Sequence, residues 1–286
     1  MAPIFDRTLE DVGNIVHLEH VNVSQPDQRL ATLFYVIGLG LTRDPYLMVG
    51  LDNMWINIGR HQMHLPTGNP QRLRGRIGLV VPDLGALKHR LAAVAQLLSG
   101  TQFCFADREQ FVELTCPWGN QFRCHAPKPG LGKMQLGMPY VEFSVPEGTA
   151  ARIAAFYREI MNAAGTVTTQ EGTVIASVCT GRDQHLLFRE VSEPLPAYDG
   201  HHIQIYIANF SAPYRRLTER NLITRDTDPH EYRFRDIVDV AGNEVLFTIE
   251  HEVRSIKHPL FGRPLVNRNP AQNNRDYLPG RDSLQV

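Results

Sequence analysis

The sequence predicts an α+β protein built from four copies of one unit, in which a strand and a helix precede about three further strands. A short alternating strand opens the unit at residues 20, 76, 140 and 202, so the copies are spaced by 56, 64 and 62 residues. The first and third copies share a proline turn and a late Phe-Tyr pair, and the second and fourth share a Gly-Asn turn. Because the same order of elements recurs four times, it is a stronger signal than a single alternating segment.

The elements of each unit follow from short patterns in the chain. In the first unit, "HVNV" predicts a strand, Pro26 a turn, and the amphipathic stretch up to "FYVIGLGL" a helix. The third unit repeats this order with "YVEFSV", Pro146 and a second Phe-Tyr, while "GRIGLVV" and "HIQIYI" open the second and fourth units. Short strands separated by Gly, Asp and Asn complete the units: "PYLMVGLD", "NMWINIGR" and "HQMHLP"; "TQFCFADR", "QFVELTCP" and "NQFRCHA"; "EYRFRDIVD" and "NEVLFTIEHEV". Unit boundaries are expected near residues 72, 130 and 198.

The charge and hydrophobic content of the chain bear on whether it binds nucleic acid or a membrane. Hydrophobic residues make up 43% and charged residues 21% of the 286, with a formal net charge of -1. This balance gives no electrostatic reason to expect nucleic acid or an anionic membrane as partner. The N-terminus does not resemble a secretory signal, and no apolar run approaches a membrane span. The four cysteines form no C-x-x-C pair, so reduced thiols and a cytoplasmic location are expected.

Residues 15 to 255 resemble the vicinal oxygen chelate superfamily, which includes glyoxalase I, extradiol ring-cleaving dioxygenases and the fosfomycin- and bleomycin-resistance proteins. The resemblance rests on the βαβββ order, the H-V-x-V opening, "FYVIGLGL", and the P-x-G-N and A-G-N turns before a final strand. It implies four βαβββ modules paired into two curled mixed sheets, each enclosing a cup. Four modules in a chain of this length resemble the two-domain extradiol dioxygenases. That architecture implies an N-terminal domain at 1–130, a C-terminal domain at 131–254, and an irregular tail at 255–286.

The resemblance also implies metal ligands on the first strand and on the last strand of the modules, since alternate residues of these strands point into the cup. The first-strand positions hold His20, Arg76, Tyr140 and His202. The last-strand positions fall near His64, Arg123 or His125, Leu187, and Leu246 to Glu250. The glutamate of the family usually lies four residues after the turn glycine, where this chain has Arg123 and Leu246. Glu250 lies four residues further along with the same strand parity.

Two pairings of the modules stay open at this stage. If modules one and four pair, one cup collects His20, His64, His202 and Glu250. If the extradiol pairing holds, the C-terminal cup contains His202 and Glu250, with Tyr140 in place of the usual first histidine. Tyr140 is the candidate catalytic residue, through a hydrogen bond to substrate.

The resemblance favours a metal-dependent enzyme, most of all an extradiol-type dioxygenase acting on a small aromatic or catechol-like substrate. The ligand set suits Fe(II) best, with Mn(II), Zn(II) or Ni(II) as other candidates. A glyoxalase-like lyase or isomerase is one alternative. Another is a metal-free protein that sequesters an aromatic molecule between Trp55, Trp118 and the tyrosines. Pairing is common in the superfamily, so a homodimer or larger homo-oligomer is expected.

Overall fold

The computed structural model describes residues 5–47, 50–284 and 286. In this part of the chain sixteen strands form two eight-stranded mixed sheets, flanked by a small number of helices. The predicted α+β class and the four βαβββ modules are therefore confirmed. No helix among the described residues combines the length and apolar character that crossing a membrane requires.

The strands of the four modules occur in the predicted order. Module one contains β1 (Ile15–Asn22), β2 (Thr42–Arg43), β3 (Asn53–Ile58) and β4 (His61–Pro66), and module two contains β5 (Gly75–Val80), β6 (Cys104–Arg108), β7 (Phe111–Thr115) and β8 (Gln121–His125). Module three contains β9 (Gly137–Pro146), β10 (Gly165–Gln170), β11 (Thr173–Cys179) and β12 (His185–Val191), and module four contains β13 (His202–Ile207), β14 (Ile223–Asp228), β15 (Glu231–Val238) and β16 (Val245–Ser255).

Each module carries one helix after its first strand. The helices are α1 (Gln28–Ala31), α2 (Leu84–Ala95), α3 (Ala150–Glu159) and α4 (Ser211–Glu219), and short 3-10 turns lie at Arg7–Glu10, Gln96–Leu98 and Pro129–Leu131. Helix α1 continues as a π-helical stretch over Thr32–Gly38, which contains the "FYVIG" motif. Asp27 begins α1 by accepting hydrogen bonds from two backbone amides of its first turn.

Sheet order shows which modules pair. The first sheet runs β14-β15-β16-β13-β1-β4-β3-β2, so it joins module four to module one. The second sheet runs β10-β11-β12-β9-β5-β8-β7-β6 and joins module three to module two. Antiparallel pairs at the centre of each sheet, β1 with β13 and β5 with β9, make these joins. Each sheet thus takes one module from residues 1–130 and one from 131–254, and the division of the chain into those two domains stays a prediction.

Strand alternation separates an apolar and a polar face on the first sheet. Val21, Ile203 and Val253 are fully buried in the hydrophobic core that the helices share. Their sequence neighbours His20 and Glu252 lie on the opposite face, because successive side chains of a strand point to opposite sides. We call this polar face of the first sheet the first cup. The alternating pattern read from the sequence therefore separates core from cup along these strands.

The segment after Ser255 forms no helix or strand among the described residues, and it docks along module one. Asn267 exchanges two hydrogen bonds with the backbone of Gly59, at 3.0 and 2.8 Å. Arg263 forms an ion pair of 2.8 Å with Asp44, which is buried near one end of the first cup. The tail thereby links the end of module four to the strands of module one.

His251 should make the stability of the protein fall with acidification. Its ring is fully buried and stacks on Phe234 with centroids 4.2 Å apart, and its Nε2 lies 2.6 Å from the hydroxyl of Tyr157. Burial lowers the pKa of His251 to about 3, although the hydrogen bond to the carbonyl of Ile249 opposes this. Because the unfolded histidine takes up a proton near its ordinary pKa of about 6.5, the free energy of unfolding should drop as pH falls below that value, by up to about 1.4 kcal/mol per pH unit.

Urea unfolding between pH 7 and pH 5, with a chelator present, measures this slope. The His251→Gln variant keeps an acceptor for the Tyr157 hydroxyl but does not titrate, so its slope over this range should be shallower by about 1 kcal/mol per pH unit on average. An identical slope in the two proteins would contradict the assignment. Carboxylates contribute at lower pH, since their lowered pKa values cost stability only as pH falls below about 4.5.

Candidate metal centre

The strand register of the first sheet brings the predicted residues of modules one and four onto two neighbouring rows of the first cup. His20 lies opposite Gln204, which in turn lies opposite Glu252. One step along the strands, Asn22 lies opposite both His64 and His202, and His202 lies opposite Glu250. Four neighbouring strands, β4, β1, β13 and β16, therefore supply the polar side chains of the site.

Three of these side chains approach closely enough to share one ion. One ligand atom from each of His20, His202 and Glu252 lies within 4.8 Å of the other two. The rings of His20 and His202 have centroids 6.0 Å apart, and Nε2 of His202 lies 3.4 Å from Oε2 of Glu252. His20 and Glu252 are almost completely buried. Two imidazoles and one carboxylate on three different strands make a possible metal site.

A carboxylate lies behind each imidazole. Nδ1 of His20 lies 3.3 Å from Oε2 of Glu19, and Nδ1 of His202 lies 3.8 Å from Oε1 of Glu250. A proton held on Nδ1 by Glu19 leaves the lone pair on Nε2 of His20, the arrangement that metal-binding histidines usually have. Glu250 therefore lies on the Nδ1 side of His202, while Glu252 lies on its Nε2 side.

His64 stands beside the three-residue cluster. Its ring stacks on Trp55 at 3.9 Å and lies 5.9 Å from the ring of His20. Nδ1 of His64 lies 3.2 Å from the amide nitrogen of Asn22, so this ring nitrogen accepts and the proton resides on Nε2. In this tautomer His64 offers the cup an N–H donor.

Burial favours the uncharged form of His20 and His64. It lowers the pKa of His64 to about 3, and the neighbouring His20 and His202 act in the same direction. Burial also lowers the pKa of His20, in part against the attraction of Glu19 and Glu252. Burial alone would raise the pKa of Glu252, but His202, His20 and two arginines outweigh it and hold the pKa below its usual range. Neutral imidazoles and an ionised carboxylate are the protonation states that metal binding requires.

The charges around the cluster favour a cation. Among the described residues, one connected network of ion pairs contains four carboxylates and two guanidiniums: Glu19, Glu231, Glu250, Glu252, Arg233 and Arg254. With neutral histidines this network carries a formal charge of -2. Arg233 bridges Glu250 and Glu252, at 2.8 and 2.5 Å, and holds both carboxylates in place. A divalent cation would balance the excess charge.

Several buried polar atoms of the cup have no hydrogen-bond partner in the described part of the chain. They are Nε2 of His20, Nε2 of His64, Nε2 of His202, and both side-chain polar atoms of Gln204. Buried polar atoms are normally satisfied, so five of them on one face of one sheet indicate a place where a ligand binds. Imidazole nitrogens with one carboxylate suit Fe(II), Mn(II), Zn(II) and Ni(II), so the residues present fit such a metal.

The structure brings together some of the predicted residues and separates others. His20, His64 and His202 share the first cup, as pairing of modules one and four requires, and Glu250 lies at their edge. Tyr140 belongs to the second sheet, where its hydroxyl lies 2.9 Å from Nε2 of His125. The alternative of a metal-free binding protein would place its ligand between Trp55 and Trp118. Trp55 lies in the first cup, while Trp118 lies in the turn between β7 and β8 of the second sheet.

Glu252 is the carboxylate that sequence reasoning missed. It has the same strand parity as Glu250 and lies one step further along β16, so both side chains face the cup. The sequence signal was present in the alternation of "EHEVRS", but parity cannot select between two glutamates of one strand. The strand register distinguishes the two glutamates, because it places Glu252 rather than Glu250 in the same cross-strand row as His20, with β13 between them.

No protein-family model matches the chain, and no curated protein matches it. Among solved structures it is similar to glyoxalase I from Zea mays, with a TM-score of 0.58 and 12% identity over 84% of this chain and 92% of that one. A Bacillus subtilis protein described as a candidate dioxygenase has a TM-score of 0.56 and 13% identity, covering 89% and 92% of the two chains. The cppA protein of Streptococcus pneumoniae has a TM-score of 0.50 and 9% identity, covering 86% and 100%. The chain therefore has the fold of the vicinal oxygen chelate superfamily.

Proposed function

We propose that the protein is a metal-dependent enzyme of the vicinal oxygen chelate type, whose first cup binds one divalent metal ion through His20, His202 and Glu252. The observation that carries this proposal is the convergence of the three ligand atoms within 4.8 Å on one buried, negatively charged face. Two histidines with one carboxylate are the ligand set of non-haem Fe(II) oxygenases, so Fe(II) is the favoured metal. The substrate class we propose is a small aromatic, catechol-like molecule with two neighbouring oxygen atoms, and the reaction is an extradiol-type dioxygenation.

The chain's own residues would orient the reactants. When bound, the metal would act as a Lewis acid and as a template for two adjacent oxygen atoms. Glu19 orients the ring of His20 through a hydrogen bond at Nδ1, and Glu250 lies 3.8 Å from Nδ1 of His202. The proton on Nε2 of His64 has no partner among the described residues, so it can be donated to an anionic substrate oxygen. The indole of Trp55, stacked on His64, holds that ring in place.

A glyoxalase-like lyase or isomerase is the second candidate, and the likeness of the fold to glyoxalase I favours it. Such a reaction needs a general base, which works best when its pKa is near the working pH. With a pKa of about 3, His64 is a weak base. Glu250 is ion-paired with Arg233. These two observations favour the dioxygenase over the isomerase.

Metal analysis and oxygen uptake test the proposal together. Protein purified without added metal or chelator should contain up to one divalent metal per chain. After anaerobic loading with Fe(II), it should consume oxygen when catechol is added, and loading with Zn(II) should not support this reaction. Absence of binding for all four metals would favour the metal-free binding protein. Metal binding without oxygen uptake from catechol or its substituted derivatives would favour the lyase or isomerase.

The expected homodimer and cytoplasmic location stay predictions. Light scattering at micromolar concentration should give twice the monomer mass, and a monomer mass would contradict the dimer. The small-molecule substrate is likewise part of the proposal, and the enclosed position of the candidate ligands supports it, since His20 and Glu252 are each no more than 3% exposed.

A further inference from the structure

The second sheet repeats the geometry of the first with different chemistry. Its central strands pair Arg76 with Glu142, and Gly78 with Tyr140. The equivalent pairs of the first sheet are His20 with Gln204, and Asn22 with His202. By these registers Arg76 takes the place of His20, Tyr140 that of His202, Leu187 that of Glu252, and Arg123 that of His64. We call this face of the second sheet the second cup. None of the four substituted positions offers a ligand that a divalent metal prefers.

The charge of the second cup is the reverse of that in the first. Among the described residues, its network of ion pairs contains four guanidiniums and two carboxylates: Arg76, Arg108, Arg123, Arg189, Glu113 and Glu142. The formal charge of this network is +2. An anion with two or more oxygen atoms is the ligand that such an excess of guanidinium groups recognises, because their paired N–H groups match carboxylate and phosphate oxygens.

Arg123 is held in place with donor capacity to spare. Its guanidinium lies 4.2 Å from the centre of the Phe111 ring and donates to Oε1 of Glu113 at 3.1 Å. Its Nε is buried without a hydrogen-bond partner in the described part of the chain. A guanidinium fixed on an aromatic face and a carboxylate loses little side-chain freedom when it binds a ligand.

Tyr140 and His125 complete a polar centre beside the arginines. Both residues are at least nine-tenths buried, and Nδ1 of His125 has no hydrogen-bond partner among the described residues. Burial lowers the pKa of His125 to about 4 and raises the pKa of Tyr140 to about 12, so both are neutral at pH 7. One proton lies between them in their 2.9 Å hydrogen bond, and the other, on Nδ1 of His125 or on the Tyr140 hydroxyl, is free to be donated to a ligand. Gly78 makes this arrangement possible, because a Cβ at that position would overlap the ring of Tyr140.

We propose that the second cup is a binding site for a small anion with carboxylate or phosphate oxygens, held by Arg76 and Arg123 beside the Tyr140 hydroxyl and His125. This site is separate from the first cup and does not depend on a metal there. Glu113 and Glu142 already accept hydrogen bonds from some of the guanidinium groups. They therefore limit the affinity for the anion, so that a bound anion can dissociate.

Calorimetric titration of chelator-treated protein tests the site, with inorganic phosphate and acetate as probes at constant ionic strength. We expect saturable binding of at least one probe, and the stronger of the two identifies the anion class. The Arg123→Gln variant should bind at least about 10-fold more weakly. The Glu113→Gln variant should bind several-fold more tightly, because it frees donors of Arg76 and Arg123. Opposite changes in two neighbouring variants would not arise from a general loss of structure.

Arg152→Gln is the matched control, since Arg152 pairs with Asp239 and Glu244, outside both cups, and its loss changes the net charge by the same amount. This variant should bind the probe as tightly as the parent protein. The proposal fails if neither probe binds saturably up to about 10 mM. It also fails if Arg152→Gln weakens binding as much as Arg123→Gln, because the effect would then be one of net charge alone.

Discussion

Replacing Glu252 by glutamine should abolish metal binding and leave the fold intact. The substitution keeps the size of the side chain. It removes the only negative charge among the three candidate ligands, whose ligand atoms lie within 4.8 Å of one another. Arg233 and Arg254 retain carboxylate partners in Glu250, Glu231 and Glu19, so no guanidinium is left unpaired. We expect metal affinity to fall by at least about 100-fold. Loss of a residue that only hydrogen-bonds a metal ligand usually lowers the affinity by less, about 10- to 100-fold.

Glu250→Gln is the matched control, because it makes the same chemical change two residues away on the same strand. Glu250 lies behind His202, so its loss should weaken binding about 10-fold. His20→Ala and His202→Ala should lose the metal as Glu252→Gln does, and Tyr140→Phe should keep it. Elemental analysis and metal titration give the affinities, and circular dichroism reports the fold. If Glu250→Gln lost the metal and Glu252→Gln kept it, Glu250 would be the ligand.

Replacing Arg263 by methionine should lower the free energy of unfolding by about 3 kcal/mol. The side chain of Asp44 is completely buried, and Arg263 lies 2.8 Å from its Oδ2. Burial would raise the pKa of Asp44, but Arg263 and two backbone amides hold it below the usual range. Without the guanidinium, Asp44 would be an ionised carboxylate buried with hydrogen bonds but no counter-ion, which is strongly destabilising.

The loss should be smaller in the double variant Asp44→Asn/Arg263→Met, since it leaves no buried charge behind. Urea unfolding of both variants and of the parent measures the difference. Arg275→Met removes an exposed arginine of the same tail and should change stability by less than about 0.5 kcal/mol. Equal stability of Arg263→Met and the parent would show that the tail contributes little to the fold.

The repeating units of the fold could be recognised from patterns among neighbouring residues. The strand that contains His20 and the strand that contains His202 could be recognised because alternation and turn residues are properties of neighbouring residues. The same alternation predicted that His20, His64, His202 and one glutamate of β16 face one side of their strands. These inferences needed no contact between distant parts of the chain, and for that reason they could be made from the sequence.

Which modules meet, and how their strands are aligned, became visible in the three-dimensional fold. His20 and Gln204 lie opposite each other although 184 residues separate them, and no local pattern specifies that pairing. Parity left Glu250 and Glu252 equivalent, and the register of β16 against β13 set Glu252 level with His20 and Glu250 level with His202. The same pairing put Tyr140 with arginines in a second cup, away from the histidines. The physical reason is that strand periodicity fixes the side on which a residue lies, whereas its neighbours on that side depend on contacts between segments far apart in the chain.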